Sequence, residues 1–222
     1  MTIGLEEWFS NFTQIFGHRL TPQILATVPR PYTELAIFGA FKGGELASVI
    51  GGCVVHPIYR AYLKSRLTPE TTTNNSFKII RSTCRRLQGR FLLGGLLLGP
   101  VVALLCVTNR TSDEVKELCY RIRCSERNLV TDRLSFCLGF VGWYWKRFQG
   151  AVDGINIAVL YALFYFTVLR DRTLPLLVDK VKPEERLPTA KDSEQMKSVF
   201  HGFLYRRKTD FEKSKGERTE QN

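Results

Sequence analysis

Apolar residues gather in runs along this chain, and charged residues gather between them. Residues 64–90, 109–133 and 170–222 hold most of the charge. Such segregation predicts membrane-crossing helices joined by polar loops. From Ala151 to Leu169 only Asp153 and Asn156 are strongly polar. As a helix this run reaches roughly 28 Å, close to the hydrocarbon thickness of a bilayer. Ahead of it, Leu134 to Trp145 is apolar, and then Lys146, Arg147 and Gln149 interrupt. Two adjacent cations are costly in the middle of one lipid-embedded helix, so the pattern predicts a reversal there. The result is a short span ending at Lys146 and a full one over 151–169.

Two further runs complete the set. Leu35 to Tyr62 carries a four-residue ladder of Gly39, Gly43, Ala47 and Gly51, with a second beside it at Ala40, Gly44, Ser48 and Gly52. Phe91 to Val107, extended back through Gln88, carries Gly95, Gly99 and Ala103 in one register, with Pro100 inside. Gly142, Gly150, Gly154, Ala158 and Ala162 share another register, broken only at Lys146, which predicts one groove of small residues. Small residues every fourth position let helix backbones approach closely in lipid. The expected fold is therefore all-α: a four-span transmembrane bundle with GxxxG-type packing, plus amphipathic flanking helices. The chain divides into an amphipathic segment (1–34), a four-span membrane domain (35–169) and a soluble charged tail (170–222).

The flanks follow from periodicity. Leu5, Trp8, Phe9, Phe12 and Phe16 fall on one side of a helix, with Glu6, Glu7, Ser10, Thr13 and Gln14 opposite. Such a helix lies on a membrane surface or packs on a partner or the protein's own core. Pro22, Pro29 and Pro31 mark an extended connector, and Pro57 bends or ends its helix. Met196, Val199, Phe200, Phe203 and Leu204 predict a short amphipathic helix near the end, after a polar stretch.

Charge and chemistry narrow the function. The 222 residues carry a formal net charge of +11, with 44% hydrophobic residues and a mean hydropathy of −0.10, an average that hides the segregation. The aromatics sit inside the apolar hairpin at 132–169 instead of among the cations, which argues against nucleic acid and for anionic lipid headgroups. The 63–90 region is almost purely cationic and is expected on the positive-inside face. Six scattered cysteines and three distant histidines give no metal-site spacing, so no cofactor is expected. Cys119 and Cys124 are open to either a disulfide or two free thiols. No phosphate loop, nucleophile elbow or dinucleotide fingerprint occurs, so no enzyme chemistry is expected. The polar residues within the spans, Lys42, Glu45, Lys146, Arg147, Asp153 and Asn156, are the candidate functional groups. Lys42 and Glu45, three apart, form an intrahelical pair or face a polar cavity. Asp153 is expected to pair with Lys146, Arg147 or Lys42, or to line a groove.

The pieces GAFKGGELASVIGG at 39–52, GGLLLG at 94–99 and GFVGWYWKRFQGAVDG at 139–154, with a basic loop after the first, resemble the mitochondrial inner-membrane import translocase family. That family includes import-channel subunits and an accessory subunit and an assembly factor of respiratory complex I. The resemblance covers about residues 35–169. Import members carry an Arg and an Asp ahead of the GGxxxG, where this chain has Thr83 and Leu87. The resemblance therefore implies the complex I branch: a multi-pass, non-enzymatic scaffold in the mitochondrial inner membrane whose partners are lipids and other membrane subunits. A subunit of a protein-import translocase is the alternative it implies.

Overall fold

The computed structural model describes residues 5–13, 22–67, 75–173, 197–206 and 209. The helices are α1 (Glu6–Thr13), α2 (Pro22–Leu25), α3 (Pro31–Val49), α4 (His56–Ser65), α5 (Ser76–Leu105), α6 (Ser112–Cys124) and α7 (Glu126–Phe164). Residues 197–206 form a further helix, α8. Among the described residues there is no strand, so the chain is all-α. Phe16, Met196, the polar loop at 68–74 and the terminal tail lie outside the described residues.

Three helical stretches are long and apolar enough to cross a membrane: Pro31–Ser65, Ser76–Leu105 and Glu126–Thr173. Their outer faces are greasy: Leu97 is 72% exposed, and Leu98, Leu105, Leu160 and Leu163 are likewise exposed. In water such a surface would be an aggregation hazard, whereas in lipid it is solvated.

The prolines behave according to where each falls. Pro31 opens α3, a position where its missing N–H has no helical partner to lose. Pro57 neither bends nor ends its helix in isolation. A π-helical stretch, Ile50–Val55, precedes it and joins α3 to α4. The wider turn suits a residue whose ring crowds the carbonyl four positions back. Pro100 sits inside an uninterrupted α5.

The third long stretch is not one rod. Lys146 (φ −126°, ψ 16°) and Arg147 (φ 55°, ψ −140°) leave helical geometry. Gly142 then lies against Gly150, Gly139 against Ile155 and Leu138 against Gly154. Positions on either side of the break thus meet in reverse order, and the helix folds back on itself as two arms. A second π-helical stretch, Tyr165–Leu169, lies near the end of the second arm, which continues as helix to Thr173.

The described residues form two compact units. One gathers 32–109 and 127–173; the other gathers the segments at 5–31, 110–126 and 197–206. The second contains a helix where the sequence suggested only a polar loop. Thr111 caps α6: its hydroxyl accepts from the Glu114 amide at 3.4 Å, while the Glu114 carboxylate accepts from the Thr111 amide at 3.1 Å. This reciprocal box satisfies two otherwise orphaned donors.

Candidate functional site: an ion cluster between glycine seams

In the larger unit, α3 and α5 meet backbone to backbone. Gly39 lies against Gly99, Gly43 against Gly95, and Gly51 against Phe91, so the two helices are antiparallel. A Cβ on Gly39 would fall 2.6 Å from the Gly99 carbonyl oxygen and 2.7 Å from Ala103 Cβ. No real side chain fits there. A Cβ on Gly95 would likewise strike Ala47 and the Gly43 backbone.

The second ladder of α3 serves a different neighbour. Gly44 faces the Leu96 side chain, but Ser48 Oγ donates to the Val152 carbonyl at 3.1 Å, and Gly52 faces Val152 and Asn156 on the second arm of α7. Two adjacent ladders therefore divide between two helices. The ladder of α7 is also redistributed. Gly142 sits on the first arm and Gly150, Gly154, Ala158 and Ala162 on the second, so the single groove expected from the register becomes two facing surfaces. The fold-back at Lys146 and Arg147 is the cause.

Between these contacts sits an ion cluster. Lys42 Nζ lies 2.9 Å from Glu45 Oε2 and 2.5 Å from Asp132 Oδ1 on the first arm of α7. Lys42 is thus both an intrahelical partner and a bridge to a residue ninety positions away. Asp132, Ser135 and Gly139 are buried at helical spacing on one face, the signal that locates Asp132 as inward-facing. Removing two charges from water costs several kcal/mol per ion, which only mutual pairing and hydrogen bonds offset. Lys42 supplies one positive charge to two carboxylates. Glu45 Oε1, Ser135 Oγ, Gln88 Oε1 and Asn156 Oδ1 are buried with no hydrogen-bond partner among the described residues.

The remaining candidates separate. Asp153 is half-buried and joins no ion pair among the described residues, so the expected pairing with Lys146, Arg147 or Lys42 does not form. Lys146 and Arg147 are exposed at the turn, with the Arg147 guanidinium 5.5 Å from the Trp143 ring centre. Among the described residues no group of three metal-ligating side chains occurs.

The smaller unit is held differently. Arg123 is 2% exposed, and its guanidinium donates to the Leu25 and Thr27 carbonyls, each at 3.0 Å. Asn11 Nδ2 donates to the Arg123 carbonyl at 3.3 Å, and Cys119 Sγ to that of Pro31 at 3.2 Å. Leu25, Tyr120, Cys124 and Phe200 form the apolar core, with Tyr120 and Phe200 stacked. Burial pushes the Cys124 thiol up to about 11, against the opposing effects of Tyr120 and Arg123. Burial and the facing Cys124 also raise Tyr120. Neither Cys119 nor Cys124 is in a disulfide. Five residues apart on one helix, their Cα atoms stand roughly 8 to 9 Å apart, beyond disulfide reach. An open cleft of about 330 Å³ is lined by Arg110, Glu114, Glu117, Leu118, Arg121 and Lys197. Arg123 carried no sequence signal, because its charge belongs to a polar stretch and only tertiary packing buries it.

The model of the family described as protein of unknown function (DUF1757) matches residues 8–165, from α1 through the second arm of α7, and the chain belongs to that family. No curated protein matches it.

Proposed function

We propose that this member of the family is a non-enzymatic, four-span membrane scaffold: an accessory or assembly subunit of respiratory complex I in the mitochondrial inner membrane. The spans are read as 31–55, 88–108, 127–145 and 148–169. The observation that carries the reading is the fold-back at Lys146 and Arg147. It converts one long apolar stretch into two arms, each roughly 30 Å long, matching the hydrocarbon layer. GxxxG-type packing is supported by the α3–α5 approach at Gly39, Gly43, Gly95 and Gly99. In lipid, such close packing and interhelical polar contacts hold helices together without a hydrophobic drive. Lys42, Glu45 and Asp132 are then the registry device of the bundle, each charge turned on another. The greasy outer faces are left for lipid and neighbouring subunits.

The mitochondrial address and the complex I partner rest on the sequence resemblance over 35–169. An import-translocase subunit is the second reading, favoured by the unpartnered polar atoms of Glu45, Ser135, Asn156 and Gln88 inside the unit. Blue-native electrophoresis of a tagged endogenous chain separates the two. Migration with complex I or its intermediates is expected, and migration with a translocase, or alone, would sink the scaffold reading. The span count has its own test in a cysteine-free background. Lys146→Cys should react with an impermeant maleimide from the same side as Ser65→Cys. A three-span chain would hold residue 146 in mid-bilayer, unlabelled.

A further inference from the structure

Arg147 has a backbone that L-residues avoid: φ is 55° with ψ −140°. Glycine would adopt it freely, whereas an arginine is strained. An outlier of this kind at an exposed turn calls for a use of the side chain that glycine lacks. The surroundings supply one. Gly89 of α5 packs on Phe148, where an added Cβ would stand 3.2 Å from Phe148 Cβ. Arg85, Arg86 and Arg90 lie four, three and one residues from Gly89, so on a helix they emerge within about 100° of the face that meets the turn. All three, with Lys146 and Arg147, are exposed. Five cations from two helices therefore converge at one level.

In sequence no acid occurs over 75–112 or 133–152, and none of these five cations joins an ion pair among the described residues. The same level carries aromatic side chains that face outward. Tyr144 is 75% and Trp145 77% exposed, and Trp143 lies under Arg147. Exposed Trp and Tyr beside cations at the end of apolar arms mark the water–lipid boundary. Guanidinium groups there match phosphate oxygens in charge and geometry.

From this convergence we infer that the Lys146–Arg147 turn and the facing arginines of α5 form a binding surface for the headgroups of anionic phospholipids. The inference rests on the four-span reading, which puts this turn at the boundary. Arg147 keeps its strained backbone because its guanidinium stands between the Trp143 ring and the headgroup phosphate.

The test uses the full chain in vesicles, with Trp8→Phe leaving Trp143 and Trp145 as reporters. Their quenching by a brominated anionic phospholipid is compared with that by its brominated phosphocholine counterpart at equal mole fraction. Preferential quenching by the anionic lipid, weakened by salt, is expected. Arg147→Gly should lower that preference roughly fivefold while raising the melting temperature in neutral detergent. Joint replacement of Arg85, Arg86 and Arg90 by Gln should abolish it. Equal quenching by both lipids in a chain that resists alkaline extraction would overturn this inference alone, whereas a chain that alkali extracts would sink the membrane reading as well. Displacement of the anionic lipid by RNA or by an acidic peptide would also overturn it.

Discussion

The two units close their helix contacts by different means. In the larger one, α3 meets α5 and the two arms of α7 meet each other through glycine backbone, beside a small apolar core of Leu92, Ala151 and Val152, and many big apolar side chains point outward. In the smaller one, Leu25, Tyr120 and Phe200 point inward, and the short helices carry charge outside. Under the proposed membrane reading, one chain follows two solvent rules. Where lipid surrounds a helix, apolar side chains gain little by turning inward, and close approach through glycine is the available source of cohesion. Where water surrounds it, burial of aromatic surface is the drive.

The sharpest way to break the contrast is at the α3–α5 seam. Gly43→Leu must displace the Gly95 backbone, so it should cost more than about 4 kcal/mol and abolish a monodisperse detergent peak on size exclusion. Gly94→Leu, one residue from the seam and open on its Cβ side, should change stability by less than about 0.5 kcal/mol. Equal damage from both would mean the seam does not hold the helices.

Next comes the ion cluster. Lys42→Met leaves the Glu45 and Asp132 carboxylates without their cation and should lose about 3 to 5 kcal/mol in a detergent melt. Adding Glu45→Met and Asp132→Leu should restore most of that loss, and additive costs would refute the pairing. In the smaller unit, Arg123→Met leaves the Leu25 and Thr27 carbonyls unpaired at about 2 to 3 kcal/mol. Faster amide exchange over 22–30, with none over 39–52, would locate the effect in that unit.

Smaller still is the helix cap. Thr111→Ala should cost about 1 kcal/mol, seen as fraying of α6 by exchange. Least of all, Asp153→Asn should shift stability by no more than about 0.5 kcal/mol, because no ion pair among the described residues depends on it.

The sequence and the structure agree best where one residue's chemistry decides the outcome. Long apolar runs had to be helices, and Lys146 beside Arg147 marked where a rod in lipid would fail. A four-residue ladder marks a face but does not name the face opposite. That is why Gly39 and Gly43 proved to meet α5 while Ser48 and Gly52 meet α7. Lys42 shows the same gap. Its partner three residues on was readable, but Asp132 is joined to it only by tertiary registry. Thr111 and Glu114 were legible as a capping box, yet the mixed charge of 108–133 read as loop. Arg123 was not legible at all, since burial of an arginine depends on carbonyls that the folded connector presents.

The π-helical stretch Ile50–Val55 has a consequence for phase. A wide turn accommodates a residue beyond the α-helical count, so everything after it is rotated about the helix axis relative to everything before. The glycines of α3 and the cations Arg60 and Lys64 of α4 are therefore clocked against each other by that one turn, without any contact between them. Deleting Val54 would let the backbone relax to a plain α-helix with Arg60 and Lys64 still aimed as before, whereas forcing α-helical geometry on the full-length turn would swing them by about 100° and leave Gly39 and Gly43 in the α3–α5 seam.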